Sequence, residues 1–249
     1  MAKKGCFMTP RLSILIPMYN EERIAAETAR TLTAYFDAAF PAGDYEIVFS
    51  NDGSRDNCAE AIRALNLPHV RVVGYPDNRG KGSAVREGIL LCEGDTIVYT
   101  DCDLAYGCDA ILNIWKQREA DGSDLVIGSR NISADGYEGY TVLRKLMSKT
   151  YIKIISLFAG FRYSDSQCGL KCLTKAAARD IFSRCTVNGF AFDLEVLILA
   201  DKLKKTVSEC PVKIINHNEA QSKVNPIKDA LRMLRDIRRI KKTHQNVTL

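Results

Sequence analysis

The sequence predicts an α/β fold with a mostly parallel central sheet flanked by helices, and three observations lead there. Short β-branched or apolar runs alternate with helical patterns from Leu12 to Gly128. Polar, glycine-bearing segments fall directly after the strand runs, where open parallel sheets bind ligands. The chain has 249 residues and is 46% hydrophobic, enough to bury one sizeable core.

The elements follow in order. Residues 12–16 (LSILI) read as a buried strand that Pro17 can terminate, and residues 21–40 as a helix with Asn20 placed to cap it and Glu21 in its first turn. A strand at 46–49 leads through Asn51-Asp52-Gly53-Ser54, whose Asp and Ser suit a helix cap, into a helix at 56–65. Next come a strand at 70–73, a helix at 81–92 opened by Gly80, a strand at 96–99, a helix at 109–120 and a strand at 125–127. This alternation predicts a sheet covered on both faces. Beyond Gly128 the pattern loosens into a long helix at about 140–158, a polar stretch at 164–171, helices near 174–182 and 193–204, and a strand near 212–215. There is no internal repeat and no Pro/Gly-rich linker, so one continuous domain is expected.

Composition excludes several classes. Lysine and arginine total 35 against 30 acidic residues, and a net charge of +5 is too mild to imply nucleic acid. Nine scattered cysteines, an odd number without a CxxC pair, point to a reduced, cytoplasmic setting; Cys168 and Cys172 read as packing residues. The basic start MAKKGCFMTPR resembles neither a secretory signal nor an anchor, and no apolar run approaches the ~18 residues of a membrane span. A soluble or peripheral protein is expected.

Asp101-Cys102-Asp103 follows a buried strand, and alternation brings its two carboxylates to one face. Hard oxygen ligands suit Mg²⁺ or Mn²⁺, although the same pattern also makes a polar turn. Gly80-Lys81-Gly82 opens a helix whose N-terminus favours an anion; it lacks the P-loop pattern, and an ordinary helix start with an exposed lysine fits equally.

The ordered blocks Pro17-Met18-Tyr19-Asn20-Glu21-Glu22, Asn51-Asp52-Gly53-Ser54, Asn78-Arg79-Gly80-Lys81-Gly82, Asp101-Cys102-Asp103-Leu104, Gly128-Ser129-Arg130, Asp165-Ser166-Gln167-Cys168-Gly169-Leu170-Lys171 and Phe190-Ala191-Phe192-Asp193-Leu194-Glu195 extend over nearly the whole chain. Together they resemble the family 2 GT-A glycosyltransferases, and among these the dolichyl-phosphate glucose and mannose synthases. The resemblance implies inverting, metal-dependent transfer of a hexose from a UDP-glucose or GDP-mannose type donor to a polyprenyl phosphate. The donor-binding set it implies is Pro17, Tyr19, Asn20, Glu21, Asp52, Lys81, Asp101 and Cys102. Asp101, Asp103 and Gln167 would hold Mg²⁺ or Mn²⁺. Arg130, Arg144 and Ser148 match acceptor-phosphate positions, and Ser222-Lys223 resembles a phosphate-contacting segment. Asp103, Arg130 and Arg144 are thus the expected catalytic residues. Asp193 and Glu195 either support the site or act as base for a hydroxyl acceptor.

On this reading residues 12–128 form the nucleotide-sugar half, 129–224 the acceptor half and 225–242 a basic amphipathic helix. Two features depart from the family. Ser50-Asn51-Asp52 keeps only the second of two usual acidic residues, and cysteine stands between the Asp101 and Asp103 carboxylates. In 225–242, Ile227, Leu231, Leu234, Ile237 and Ile240 line one face with bases on the others, and Pro226 suits a first turn. Such a helix either lies on an anionic membrane, bringing the catalyst to a lipid acceptor, or packs on its own domain, and the alternative for the whole chain is a non-catalytic nucleotide-sugar-binding partner of a membrane subunit.

Overall fold

In the computed structural model, residues 10–133, 135–136, 157–161, 163–216 and 226–247 are described, with backbone alone for 226–232. A single seven-stranded sheet runs through them: β1 (Leu12–Met18), β2 (Tyr45–Asp52), β3 (Val70–Tyr75), β4 (Thr96–Tyr99), β5 (Leu125–Ser129), β6 (Lys171–Thr174) and β7 (Val207–Pro211), in the order β3-β2-β1-β4-β6-β5-β7. All neighbours are parallel except β6, which is antiparallel to both β4 and β5. The helices are α1 (Ala25–Ala39), α2 (Cys58–Arg63), α3 (Lys81–Leu91), α4 (Gly107–Asp121), α5 (Lys175–Phe182), α6 (Phe192–Lys202) and α7 (Pro226–Thr243).

Strand alternation fills two cores, one on each face of the sheet. Ile14, Ile16, Val98 and Val126 pack with Leu32 and Phe36 of α1 and Ile111 and Ile114 of α4. Leu15, Ile97, Tyr99 and Ile127 pack with Val85 of α3, Ile181 of α5, Leu197 of α6, and Ile237 and Ile240 of α7. Cys168 and Cys172 are fully buried in the first core, as packing residues should be.

Two expectations fail locally. The last strand lies at Val207–Pro211, five residues before the predicted one, because the apolar run after Pro211 packs alongside the Asp103 turn instead: Ile215 N–H donates to Ala105 O at 2.8 Å. A strand was missed at Lys171–Thr174, where the polar residues preceding it mask a short buried run. The predicted helix at 140–158 falls almost entirely outside the described residues. The terminal helix docks on its own domain through Ile237 and Ile240 while Arg235, Arg238, Arg239, Lys241 and Lys242 stay exposed. No helix of the described residues is long and apolar enough to cross a membrane.

Candidate active site

Between β1 and β4 the strand order reverses, since β1 leads outward to β2 and β3 and the chain then crosses back to β4. The carboxyl ends of these two strands open a crevice of the kind that binds ligands in α/β sheets. β6 adds to it by running antiparallel: its first residue, Lys171, pairs with Tyr99, the last of β4, so the segment before β6 arrives at the same end of the sheet.

Asp101 and Asp103 sit in a tight turn there. Leu104 N–H donates to Asp101 O at 3.1 Å, Ala105 N–H to Asp103 Oδ1 at 3.1 Å, and Leu104 takes a left-handed backbone (φ 48°). That conformation is costly for a branched side chain and marks a turn held by its surroundings. Burial, and next the Asp101 carboxylate, raise Asp103 above the ordinary aspartate value. Glu21 is also raised, by burial first and then by Asp103, Asp56 and Asp101, so the β1 loop and the Asp101–Asp103 turn share one electrostatic environment. The Cys102 thiol points into the core and burial pushes it up to about 12.

Lys81 Nζ is ion-paired with Asp101 Oδ1. Burial opposes the ammonium charge, but Asp101, Asp193 and Asp103 outweigh it and raise the lysine. Asp52 sits beneath this loop: its oxygens accept from Tyr75 Oη (2.6 Å), Asn78 Nδ2 (2.8 Å) and the backbone N–H groups of Arg79 and Gly80 (2.9 Å each). Asp52 of the Asp-Gly-Ser block therefore shapes the Asn78–Gly80 segment rather than capping α2. Asn20 does not cap α1 either, which starts at Ala25 without a side-chain cap. Asn20 Oδ1 instead accepts from Arg55 N–H at 2.8 Å and its N–H donates to Ser54 Oγ at 3.0 Å, lacing the β1 and β2 loops together. Tyr19, 41% exposed, stands at the rim of that loop, and Pro17 lies within β1 beyond the last residue that β4 pairs.

The segment preceding β6 closes the other side. A Cβ on Gly169 would lie 2.6 Å from Asp101 Oδ2, so this backbone abuts the carboxylate and any side chain there would push the carboxylate aside. Next to it, Ser166 Oγ and Gln167 Nε2 are buried without a hydrogen-bond partner among the described residues; a buried polar atom in that condition calls for water or an ion to satisfy it. Among the described residues no three His, Cys, Asp or Glu side chains gather as a metal cage. Two crowded carboxylates, with Gln167 two residues before the glycine that abuts one of them, fit Mg²⁺ or Mn²⁺ in the mode where substrate phosphates complete the shell. Arg130 is held bidentately by fully buried Asp165, Nε to Oδ2 at 2.6 Å and Nη2 to Oδ1 at 2.9 Å, which fixes the Gly128–Arg130 segment beside the Gln167 loop. Arg144, Ser148 and Lys223 lie outside the described residues. Asn216 Nδ2 donates to Leu104 O at 3.0 Å, which ties the segment after β7 to the Asp103 turn.

Neither acid of the Phe192–Glu195 block is free. Asp193 Oδ1 accepts from Lys171 Nζ at 2.6 Å and from Tyr99 Oη at 2.9 Å, and Lys171 also donates to Cys168 O at 2.7 Å. Glu195 accepts from Thr186 and Val187 and lies 2.7 Å from His244 Nε2. Asp165 and Lys171 belong to one of the ordered blocks, without a role of their own there, and Tyr99 and His244 stand in none of them. For Lys171 a signal existed, a lysine set between Leu170 and Cys172-Leu173.

Comparisons with known proteins give the family and the fold. A family model described as "Glycosyl transferase family 2" matches residues 13–182. A dolichyl-phosphate beta-glucosyltransferase of Drosophila melanogaster is 32% identical over 91% of this chain and 73% of its own length; one of Saccharomyces cerevisiae is 30% identical over 91% and 72%. Among solved structures, glucosyl-3-phosphoglycerate synthase of Mycobacterium tuberculosis, in complex with Mn²⁺, UDP-glucose and phosphoglyceric acid, superposes with a TM-score of 0.66 at 16% identity, covering 94% of this chain and 79% of that one. Mannosyl-3-phosphoglycerate synthase from Rubrobacter xylanophilus gives 0.62 at 18% identity, covering 94% and 73%. The sheet order, the paired aspartates at its switch point and a family match running from β1 to α5 converge on one assignment: this chain is a glycosyltransferase of family 2.

Proposed function

We propose that this enzyme transfers glucose from UDP-glucose to a polyprenyl phosphate with inversion, working at the cytoplasmic surface of a membrane. The observation that carries the choice of acceptor is the commitment of Asp193 and Glu195 to buried partners, which leaves neither to take a proton from a hydroxyl. A phosphate oxygen is already ionised at neutral pH and needs no base. It attacks the anomeric carbon, and the bond to the departing nucleoside diphosphate breaks as the new one forms.

Lys81, once released from Asp101, meets the diphosphate, and Tyr19, Asn20 and Glu21 border the nucleoside. Asp101, Asp103 and Gln167 would hold a divalent cation, which when bound neutralises charge on the leaving diphosphate. Arg130 orients the acceptor side together with Arg144, Ser148 and Lys223. Ile237 and Ile240 of α7 are used in the core, and the exposed Arg235, Arg238, Arg239, Lys241 and Lys242 around them would contribute attraction to anionic headgroups. The names of the relatives favour this acceptor over a soluble hydroxyl, and the intact aspartate pair favours an enzyme over a nucleotide-binding partner of a membrane subunit.

The test incubates the purified chain with labelled UDP-glucose or GDP-mannose, Mn²⁺, and either dolichyl phosphate in vesicles or soluble sugar acceptors. Label in the lipid phosphate from UDP-glucose is the expected result; transfer confined to hydroxyl acceptors would overturn the acceptor assignment. A companion result is expected for Gly169→Ala. Its added methyl meets the movable end of Asp101, so the fold survives while Mn²⁺ affinity, read by electron paramagnetic resonance, falls by roughly tenfold or more.

A further inference from the structure

We propose that His244, just past the end of α7, is a positioning residue for the donor site: it completes the ligation of Glu195 and thereby holds the loop that backs the start of α3. The proposal rests on the donor-binding reading of the Gly80–Gly82 segment.

His244 is only 4% exposed, its Nε2 is 2.7 Å from Glu195 Oε1, and its backbone N–H donates to Ile240 O at 3.0 Å. Glu195 is fully buried in the first turn of α6. Its oxygens accept from Thr186 N–H (3.0 and 2.9 Å), Thr186 Oγ1 (2.8 Å) and Val187 N–H (2.8 Å). A buried carboxylate has about four acceptor sites to satisfy. Three donors come from the Thr186–Val187 loop, the Cys185 thiol beside it also bonds the carboxylate, and His244 supplies the donor that comes from the terminal helix. Against an ionised carboxylate the imidazole donates through Nε2–H.

The loop in turn grips the start of α3. Gly82 N–H donates to Asn188 O at 2.8 Å. A Cβ on Gly80 would stand 2.5 Å from Asn188 O, and one on Gly82 would stand 2.5 Å from Val187 O, so both glycines are required by the close approach of this backbone. Lys81, between them, faces Asp101. A short path of packed backbone and hydrogen bonds therefore joins the terminal helix to the lysine of the donor site. Removing the imidazole leaves Glu195 buried and under-satisfied, and the Thr186–Asn188 loop is what can shift to rehydrate it.

The experiment uses the full chain with His244→Ala and with His244→Gln, whose amide N–H can stand in for Nε2–H. Backbone hydrogen exchange is followed at 80–84 and 186–189, and titration calorimetry measures affinity for Mn²⁺ with whichever of UDP or GDP binds the parent. The alanine variant is expected to exchange about tenfold faster in both segments and to bind nucleotide about fivefold more weakly, with glutamine restoring both. Faster exchange confined to α7, or a lowered melting temperature with parental exchange at 80–84 and parental nucleotide affinity, would overturn the proposal, as would failure of glutamine to restore what alanine removes. His244→Asn, too short to reach Glu195, replaces the alanine variant if that one does not fold, with the same outcomes. If the parent binds neither nucleotide, the donor reading fails on its own, and the exchange data still decide whether His244 holds the loop.

Discussion

Asp103→Asn is expected to lower sugar transfer by about 10²- to 10³-fold, the scale for losing one group that stabilises transition-state charge, while raising the melting temperature of the metal-free protein by on the order of 2 °C. Both effects have one cause. Asp103 is held beside Asp101 and its carboxyl is raised by burial and by that neighbour. A carboxyl raised in the folded state contributes stability that is full below its unfolded value and is lost as pH rises through its folded value. At neutral pH the ionised Asp103 therefore opposes folding, and a bound cation removes the repulsion. Metal binding needs the ionised form, so Mn²⁺ affinity should fall as pH drops through this raised range. Melting scans from about pH 4 to about pH 8, with and without Mn²⁺, check it. The parent should weaken towards neutral pH and recover with Mn²⁺, and the asparagine variant should weaken less, through the raised Glu21 that remains, and recover less. Identical curves for the two proteins would show that Asp103 carries no such strain.

Asp193→Ala is expected to destabilise the protein by about 3–5 kcal/mol in urea unfolding, because it strands the Lys171 ammonium in the core. Lys171 is 0% exposed and its remaining acceptor is the Cys168 carbonyl. Replacing both members, as Lys171→Met with Asp193→Leu, should recover most of that loss, since no buried charge is then left without its partner. Transfer to a phosphate acceptor should return with the fold in the double variant, because no proton has to be taken up. A double variant that folds like the parent and transfers nothing would give Asp193 a chemical role and return the hydroxyl-acceptor reading to contention.

Much of the fold was legible because its cause is local. Buried parallel strands need apolar runs such as LSILI and TIVY, and their helices need the 3.6-residue spacing seen in α1. Legibility ended where an element is defined by its neighbours. β6 is four residues long and opens with a lysine, so nothing in its own composition marks it as a central strand; pairing with β4 and β5 does. The caps expected from Asn20 and Asp52 failed similarly. Their side chains do satisfy backbone N–H groups, but across loops brought together by the sheet rather than on the helix that follows each one.

The candidate site divides the same way. The sequence by itself determined which chemical groups stand at the strand ends: Glu21, Lys81, Asp101 and Asp103 each lie a few residues past a strand run, and parallel strands carry such positions to one edge. Only the tertiary structure decided what those groups do to one another. Charge and burial act through space, so the pairing of Lys81 with Asp101, the raised carboxyls of Glu21 and Asp103, and the engagement of Asp193, Glu195 and Arg130 by Lys171, His244 and Asp165 depend on approaches between residues far apart in the chain, which a linear pattern does not encode.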